Sequence, residues 1–303
     1  MAETITHQSV PEHQRGGLTH SAVLQAWLSK VEAALVVRPG QSHLRKTRAG
    51  LLRGLGRLDE AAQAYAELAD GDEEAAILAA VLTGAVRGPA GPGGPIRFVR
   101  LAGVLTAEEQ HHLWQTVTAP DARYVPSRVG VGDSGRLDPS MRCSVVMQNP
   151  DALRPWFLPR IAGLVEREQV LDRLGLAPFP VGERELQVTR HLDGGFYCAH
   201  RDTCEKDGPA TGRTLTYVYY FHQTPRSFSG GDILLFDHGP DDKGSKKMTF
   251  TRLEPLHNSL VFFASDRLHE VTKVICPESG AFDGRWTVNG WFHRADQHQG
   301  QAP

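Results

Sequence analysis

His200-Arg201-Asp202, His269 and Arg285 are the residues of this chain whose types and spacing could do chemistry. Two imidazoles and one carboxylate can occupy one triangular face of an octahedral iron(II), leaving three positions open. Open positions are what a metal needs to take up a co-substrate and dioxygen together. On an extended strand, residues two apart point to the same side, so His200 and Asp202 converge on one point while Arg201 faces away. The third ligand must come from a strand that pairs nearby. His269 sits in SLVFFASDRLHEV, just past an apolar run that reads as a buried strand. His200, Asp202 and His269 are therefore the candidate metal ligands and the candidate catalytic residues.

A second H-x-D, His191-Leu192-Asp193, competes for this role. Distance along the chain does not separate the two, because His269 lies 67 residues after Asp202 and 76 after Asp193, and either gap would serve. The neighbours decide. Asp193 runs into Gly194-Gly195, which reads as a turn, so His191 and Asp193 are not expected to share a strand face.

Around the triad, between Gln187 and His293, the chain reads RHLDGGFYCAHRD, GRTLTYVYYFH, FSGGDILLFD, LVFFASDRLHEV and GRWTVNGWFH, in that order. With these five blocks it resembles the iron(II)/2-oxoglutarate-dependent oxygenases, specifically their prolyl-4-hydroxylase-like branch. The resemblance implies an α+β protein with a double-stranded β-helix (jelly-roll) core that carries the metal inside one end. It implies iron(II), 2-oxoglutarate and dioxygen as cofactor and co-substrates, with ascorbate as a stimulant. The implied reaction couples oxidative decarboxylation of 2-oxoglutarate, to succinate and carbon dioxide, with hydroxylation of an unactivated C–H bond. Halogenating relatives lack the carboxylate ligand, so Asp202 favours hydroxylation.

Arg285 completes the pattern. In RWTVNGWFH, period two puts Arg285, Thr287, Asn289 and Trp291 on one face. A guanidinium at the base of a barrel is a good bidentate partner for a carboxylate. The family uses a basic residue here to hold the distal carboxylate of 2-oxoglutarate. Arg285 lies 16 residues after His269, more than is usual, and the excess CPESGAFDG reads as a longer turn. Lys273 is the competing anchor, but four residues from the ligand it is too near the metal to reach the far end of the co-substrate. By resemblance, Tyr220 contacts the same carboxylate in some relatives, and core packing is the alternative; Tyr217 and Tyr219, on the opposite strand face, pack. Tyr197 is a family position near the active site whose ring could also fill core. His191 shares a face with Gln187 and Thr189 and is a candidate neighbour of the keto acid, or a satisfied core histidine. Arg213 matches a substrate-proximal position in some relatives, against a solvated charge.

The elements that position these residues follow from the rest of the sequence. Apolar residues at 40% and charged ones at 22% are ordinary globular values, so a sizeable core can form. A net charge of −2 argues against a nucleic-acid footprint and offers no polybasic membrane patch. Cys143, Cys198, Cys204 and Cys276 are scattered without a C-x-x-C pair, so neither a disulfide framework nor a zinc site is expected. No signal core and no run of ~18–20 apolar residues is found, which makes a reducing cytoplasm the expected location.

Residues 1–19 are polar and are expected to be disordered. SAVLQAWLSKVEAALVV has a helical pattern with Val23, Leu24, Trp27, Leu28 and Val31 on one face, stopped by Pro39-Gly40. HLRKTRAGLLRGLGRLDEAAQAYAELADGD resembles one tetratricopeptide repeat, through Gly50, Leu55-Gly56-Arg57, Asp59-Glu60-Ala61, Ala62 and Tyr65. EEAAILAAVLTGAV adds a helix, so residues 20–86 read as a small all-α cap. RGPAGPGGP, residues 87–95, is a linker that no helix can cross. Residues 96–296 then form the oxygenase domain, and 297–303 a tail. Its first elements are a strand in IRFVRLAGVL and a helix capped by Thr106 with Glu109 at the third helical position. His111-His112 on that helix point about 100° apart and read as surface or packing residues. SRVGVGDSGRLDPSMRCSVVM is loop plus strand, and WFLPRIAGLVEREQVLDRLGL one buttressing helix. GPDDKGSKKM, residues 239–248, is a polar loop that borders the active-site mouth or caps a hairpin.

The substrate follows less directly. The resemblance together with the helical cap favours a residue in a peptide or protein, proline first. The alternative is a free amino acid or small biosynthetic intermediate, with the cap serving homodimerisation. A non-catalytic interaction module is a third reading, opposed by the intact triad and Arg285.

Overall fold

The structure is a computed structural model that describes residues 20–83, 96–130, 135–203, 210–237, 250–276, 280 and 282–295, with side chains of the first helix from Leu24 onward. The predicted N-terminal disorder, the 87–95 linker, the 239–248 loop, Cys204 and the 297–303 tail lie outside the described residues, as does part of the CPESGAFDG turn.

Four helices come first: α1 (His20–Val37), α2 (Ser42–Gly54), α3 (Leu58–Ala66) and α4 (Glu73–Leu82). They enclose a core of their own around Leu28, Leu52, Ala61, Tyr65 and Leu78. Gly50 of α2 faces α3 closely enough that a Cβ there would be in ordinary van der Waals contact with the Tyr65 hydroxyl, at 3.6 Å. Asp72 caps α4 by accepting the Ala75 N–H at 3.0 Å. One expectation fails. Trp27 is 59% exposed, although the helical pattern put it on the inner face with Leu28. Within the bundle α1 packs chiefly on α2, so it buries a stripe narrower than its apolar face.

The second part opens with β1 (Val99–Ala102) and α5 (Ala107–Val117), whose capping box between Thr106 and Glu109 is formed. Next come β2 (Tyr124–Pro126), β3 (Arg142–Cys143) and β4 (Val145–Met147). Two helices, α6 (Arg154–Arg167) and α7 (Val170–Leu174), stand where one was expected. The break is at Gln169, whose φ of 51° is left-handed and cannot continue a right-handed helix. The remaining strands are β5 (Val181–Arg184), β6 (Gln187–His191), β7 (Phe196–His200), β8 (Arg213–Phe221), β9 (Ser229–Gly230), β10 (Ile233–Phe236), β11 (Phe250–Leu253), β12 (Ser259–Ala264), β13 (His269–Val271), β14 (Val274–Ile275) and β15 (Arg285–Arg294).

The large antiparallel sheet runs β1-β12-β8-β15-β6-β4-β2, with β5 added on β15, and the small one runs β11-β10-β13-β7-β3. Strand alternation divides the large sheet into two faces. Tyr217, Tyr219, Phe262, Trp286 and Val288 pack outward against Leu113 of α5, Phe157 and Ile161 of α6 and Val170 of α7. Val218, Tyr220, Val261 and Phe263 face inward onto Ile233 and Leu235 of the small sheet. Two antiparallel sheets face to face, with helices buttressing one of them, form the α+β jelly-roll expected from the sequence.

A buried ion pair ties the helices to the small sheet. Arg53, in the last turn of α2, donates to both carboxylate oxygens of Asp237 beside β10, and both side chains are at most 4% exposed. Asp237 also accepts the Ile96 N–H at 2.9 Å. Truncating one partner leaves the other charge buried, so Arg53→Ala should lower the unfolding free energy by about 3–5 kcal/mol. Lys46→Ala, which removes a partly exposed pair with Asp72, should cost about 1 kcal/mol or less. Urea denaturation of the two variants checks the contrast; equal losses would remove the buried pair from its role as the tie.

Candidate active site

The site is built on the pairing of β7 with β13, where His200 and His269 stand directly opposite each other. Asp202 follows just past the end of β7, its N–H held by the Ser265 carbonyl at 3.0 Å. His200 Nε2 lies 3.6 Å from Asp202 Oδ1, and His269 Nε2 lies 3.5 Å from Asp202 Oδ2. The three donor atoms fall within 4.8 Å of one another and could hold a metal ion. His200 Nδ1 is 2.8 Å from the Cys198 carbonyl and His269 Nδ1 is 2.9 Å from the Arg267 carbonyl. Only a protonated Nδ1 can bond a carbonyl, so both Nε2 lone pairs are left for a metal. Thr216 donates to Asp202 Oδ2 at 2.8 Å and fixes the carboxylate plane.

Electrostatics suit the same purpose. Burial, and then the neighbouring His200, push the His269 imidazole down to about 4, so it is neutral and ready to ligate at neutral pH. Burial would raise the Asp202 carboxyl, but the imidazoles of His269 and His200 and the Trp291 indole outweigh it and keep Asp202 ionised. Two imidazoles and one anionic carboxylate, clustered in a pocket, match what a divalent iron takes.

A cavity of about 540 Å³ opens between the sheets over this cluster. At its large-sheet wall stand Arg285, Thr287, Asn289 and Trp291, the face expected from period two. Arg285 is 2% exposed and pairs in register with His191 on β6. Its Nε donates to the Gly231 carbonyl at 2.6 Å, and its guanidinium lies 5.0 Å from the Tyr220 ring centroid. Gly231 must be glycine: its φ is +68°, and a Cβ would come within 2.6 Å of Arg285 Cδ. The buried His191 Nε2 beside it has no hydrogen-bond partner, and the Tyr220 hydroxyl interacts with Arg285 itself. Burial first, then Arg285 and Arg142, hold the His191 imidazole well below its ordinary value, so it stays neutral. A buried guanidinium with no carboxylate partner, beside the unsatisfied His191 Nε2, could take the carboxylate end of a bound keto acid. Lys273, the competing anchor, is absent from the cavity wall and only its carbonyl takes part, accepting the Gly231 N–H.

Of the other residues expected at the site, Tyr197 stacks on the His200 ring at 3.5 Å between centroids. Tyr217 and Tyr219 belong to the outer core. Asp193 turns away from His191 and accepts the Cys276 N–H, as the glycine turn implied. His111 and His112 are exposed. Arg213 is committed to a protein partner: its Nε and Nη2 donate to Glu185, both at 2.6 Å, and it lies 3.6 Å from the Trp291 ring centroid. His293 Nε2 reaches the same Glu185 at 2.5 Å. Sequence reasoning missed Glu185, His293 and Arg142, which stand at strand ends or edges where no periodic pattern marks them.

Removing the hydroxyl that orients Asp202 should weaken metal binding without unfolding the protein. Thr216→Val is expected to lower iron(II) affinity about 10–100-fold. Anaerobic iron titration measures this; unchanged affinity would mean that Asp202 does not rely on Thr216.

Comparison with known proteins agrees with this geometry. The family model of the 2OG-Fe(II) oxygenase superfamily matches residues 186–293, which include all three triad residues and Arg285. A PKHD-type hydroxylase of Synechocystis sp., itself uncharacterised, is 37% identical over 146 residues, spanning 45% of this chain. The chain covers 47% of that relative's length. Among solved structures, a Pseudomonas putida prolyl-4-hydroxylase is similar with a TM-score of 0.45 and 19% identity, over 66% of this chain and 93% of that one. A 2OG-Fe(II) oxygenase family oxidoreductase of Burkholderia pseudomallei is similar with a TM-score of 0.43 and 14% identity, over 68% and 89%. Residues 186–293 are thus similar to the 2OG-Fe(II) oxygenase superfamily, and the matched stretch holds every site residue expected from the sequence.

Proposed function

We propose that this chain is an iron(II)- and 2-oxoglutarate-dependent hydroxylase of an amino-acid residue, with proline in a peptide or protein as its first substrate. The observation that carries the reaction class is the single cavity that holds His200, Asp202 and His269 on one wall and the buried Arg285 on the facing one. In this reading His200, Asp202 and His269 hold the iron, and Arg285 holds the distal carboxylate of 2-oxoglutarate with His191 and Tyr220 at its sides. Iron(II) and 2-oxoglutarate, when bound, supply the oxidation that replaces a C–H hydrogen by hydroxyl, with succinate and carbon dioxide as co-products. The residues of the chain position and shield. Thr216 holds the carboxylate of Asp202, Gly231 sets the reach of Arg285, and Trp291 with the Arg213–Glu185 pair closes the wall against water. Asp202 occupies the position that a halide would need, which favours hydroxylation.

One observation favours a second reading, in which the substrate is a free amino acid or a small intermediate. Among the described residues, none of α1–α4 lines the cavity. The helices sit at the β11 side of the small sheet, where α2 packs on β11, whereas β7 and β3 lie at the other side. In both readings we take residues 20–86 as a helical unit joined through 87–95 to the catalytic unit 96–296. Its docking supports a packing role, and the exposed Trp27, Val36 and Val37 of α1 suit self-association. Of the membrane, the structure says that no described helix is long and apolar enough to cross one.

His200→Ala and His269→Ala should lose iron and bring succinate formation below detection; near-normal turnover in either would remove that ligand from the assignment. Arg285→Ala should mainly raise the 2-oxoglutarate concentration needed for half-saturation, with a loss of about 2–5 kcal/mol. Ordinary saturation in this variant would place the anchor elsewhere. Substrate-stimulated succinate release, compared between proline-containing peptides and free amino acids, tests the substrate class.

A further inference from the structure

With Arg285 given to the co-substrate and Arg213 to Glu185, the cavity still contains a guanidinium that has no carboxylate. Arg142, on β3, lines the same cavity from the sheet opposite Arg285. Its Nε donates to Ser144 Oγ at 2.9 Å, Ser144 bonds Ser127 at 2.8 Å, and its guanidinium lies 4.7 Å from the Tyr197 ring centroid. Tyr197 stacks in turn on His200, so guanidinium, phenol ring and imidazole form one column that ends at the triad. Ser144 and Tyr197 fix the plane of the guanidinium before anything binds, which removes much of the ordering cost of a bidentate contact.

The charges around it point one way. Of the acidic groups on the cavity wall, Asp202 belongs to the triad, Glu185 is held by Arg213, and Glu183 is exposed. Arg128, at the exposed end of the wall, adds a second cation. Arg142 is half-buried and forms no ion pair among the described residues; burial pushes its guanidinium down, offset in part by Tyr197 and by the field of Asp202. An anion arriving with the substrate offsets that effect of burial.

We infer that Arg142 recognises a carboxylate on the substrate close to the carbon that is hydroxylated, an inference that rests on the hydroxylase reading above. The carboxylate has two possible sources: the α-carboxylate of a free amino acid, or an acidic residue beside the target in a peptide. The test uses the full chain loaded anaerobically with iron(II) and 2-oxoglutarate. The probes are the common L-amino acids, each as free acid and as amide, and end-capped tripeptides Ala-Xaa-Ala and Ala-Xaa-Asp. Binding is read by calorimetry and, after air is admitted, by probe-stimulated succinate. At least one acid probe should bind about tenfold or more tightly than its neutral counterpart, and the arm in which this occurs identifies the source. Arg142→Gln should abolish that ratio by weakening the acid probe alone, whereas Arg142→Lys, keeping charge without the fork, should retain part of it.

Equal weakening of acid and neutral probes in Arg142→Gln would show that Arg142 merely supports Tyr197 or serves 2-oxoglutarate, and would overturn the inference. A preference that survives the substitution would overturn it too. Silence of the whole panel, alongside iron-dependent conversion of 2-oxoglutarate to succinate by the wild type, would overturn it while leaving the hydroxylase reading intact. Absence of that conversion under all conditions would overturn both.

Discussion

The pairing of β7 with β13 in a single register is the interaction on which the site depends. His200 and His269 face each other across that ladder, and a slip of one residue would turn one imidazole to the other side of the sheet. The register is held from outside the pair. β10 binds β13 on its other edge, and the Ser265 carbonyl takes the Asp202 N–H just where β7 ends. The ladder also contains an irregularity: between the His269–His200 and Val271–Tyr197 pairs, β7 spends three residues where β13 spends two. That extra residue reverses the alternation, and so Tyr197 and His200, an odd number of positions apart, come to lie on the same side and stack.

The large sheet supplies rigidity by being buried on both faces. β8, β12 and β15 are buried at almost every position because one face packs on α5, α6 and α7 and the other on the small sheet. Such strands cannot shift without exposing core, which fixes Arg285, Thr216 and Trp291 relative to one another. The helices α1–α4 stabilise the opposite part of the molecule. Their contact reaches β10 and β11 through Arg53 and Asp237, whereas the triad is on β7 and β13 of the same sheet. Any influence of the helical unit on the site must therefore pass through the small sheet, not by direct contact within the cavity.

Charge in the cavity is arranged by pairing, with deliberate-looking exceptions only where a ligand has work to do. Arg213, Glu185 and His293 satisfy each other and form a closed polar wall. Asp202 is satisfied by Thr216 and by the imidazoles beside it. Arg285 and Arg142 form no ion pair with a carboxylate among the described residues and stand on facing sheets of the cavity. In the function proposed above, the sheet that carries each cation would separate a co-substrate end from a substrate end.

The facing of the candidate site residues was legible in the sequence because strand alternation is a local property. His200 with Asp202, the inward face Arg285–Thr287–Asn289–Trp291, the outward Tyr217 and Tyr219, and the Thr106–Glu109 capping box all follow from spacing within one segment. The glycine turn that set Asp193 apart from His191 is equally local. Other outcomes depended on contacts between distant segments and could not be read from either alone. Trp27 points outward because α1 packs chiefly on one helix; α6 and α7 separate at a left-handed Gln169 that carries no glycine signal; Tyr197 joins His200 through a bulge. Arg213, a cation with no partner in its own segment, is claimed by Glu185 from 28 residues away, and Arg142 is left unclaimed. Periodicity states which side of a strand a residue occupies, but only the assembled sheets determine what stands across from it.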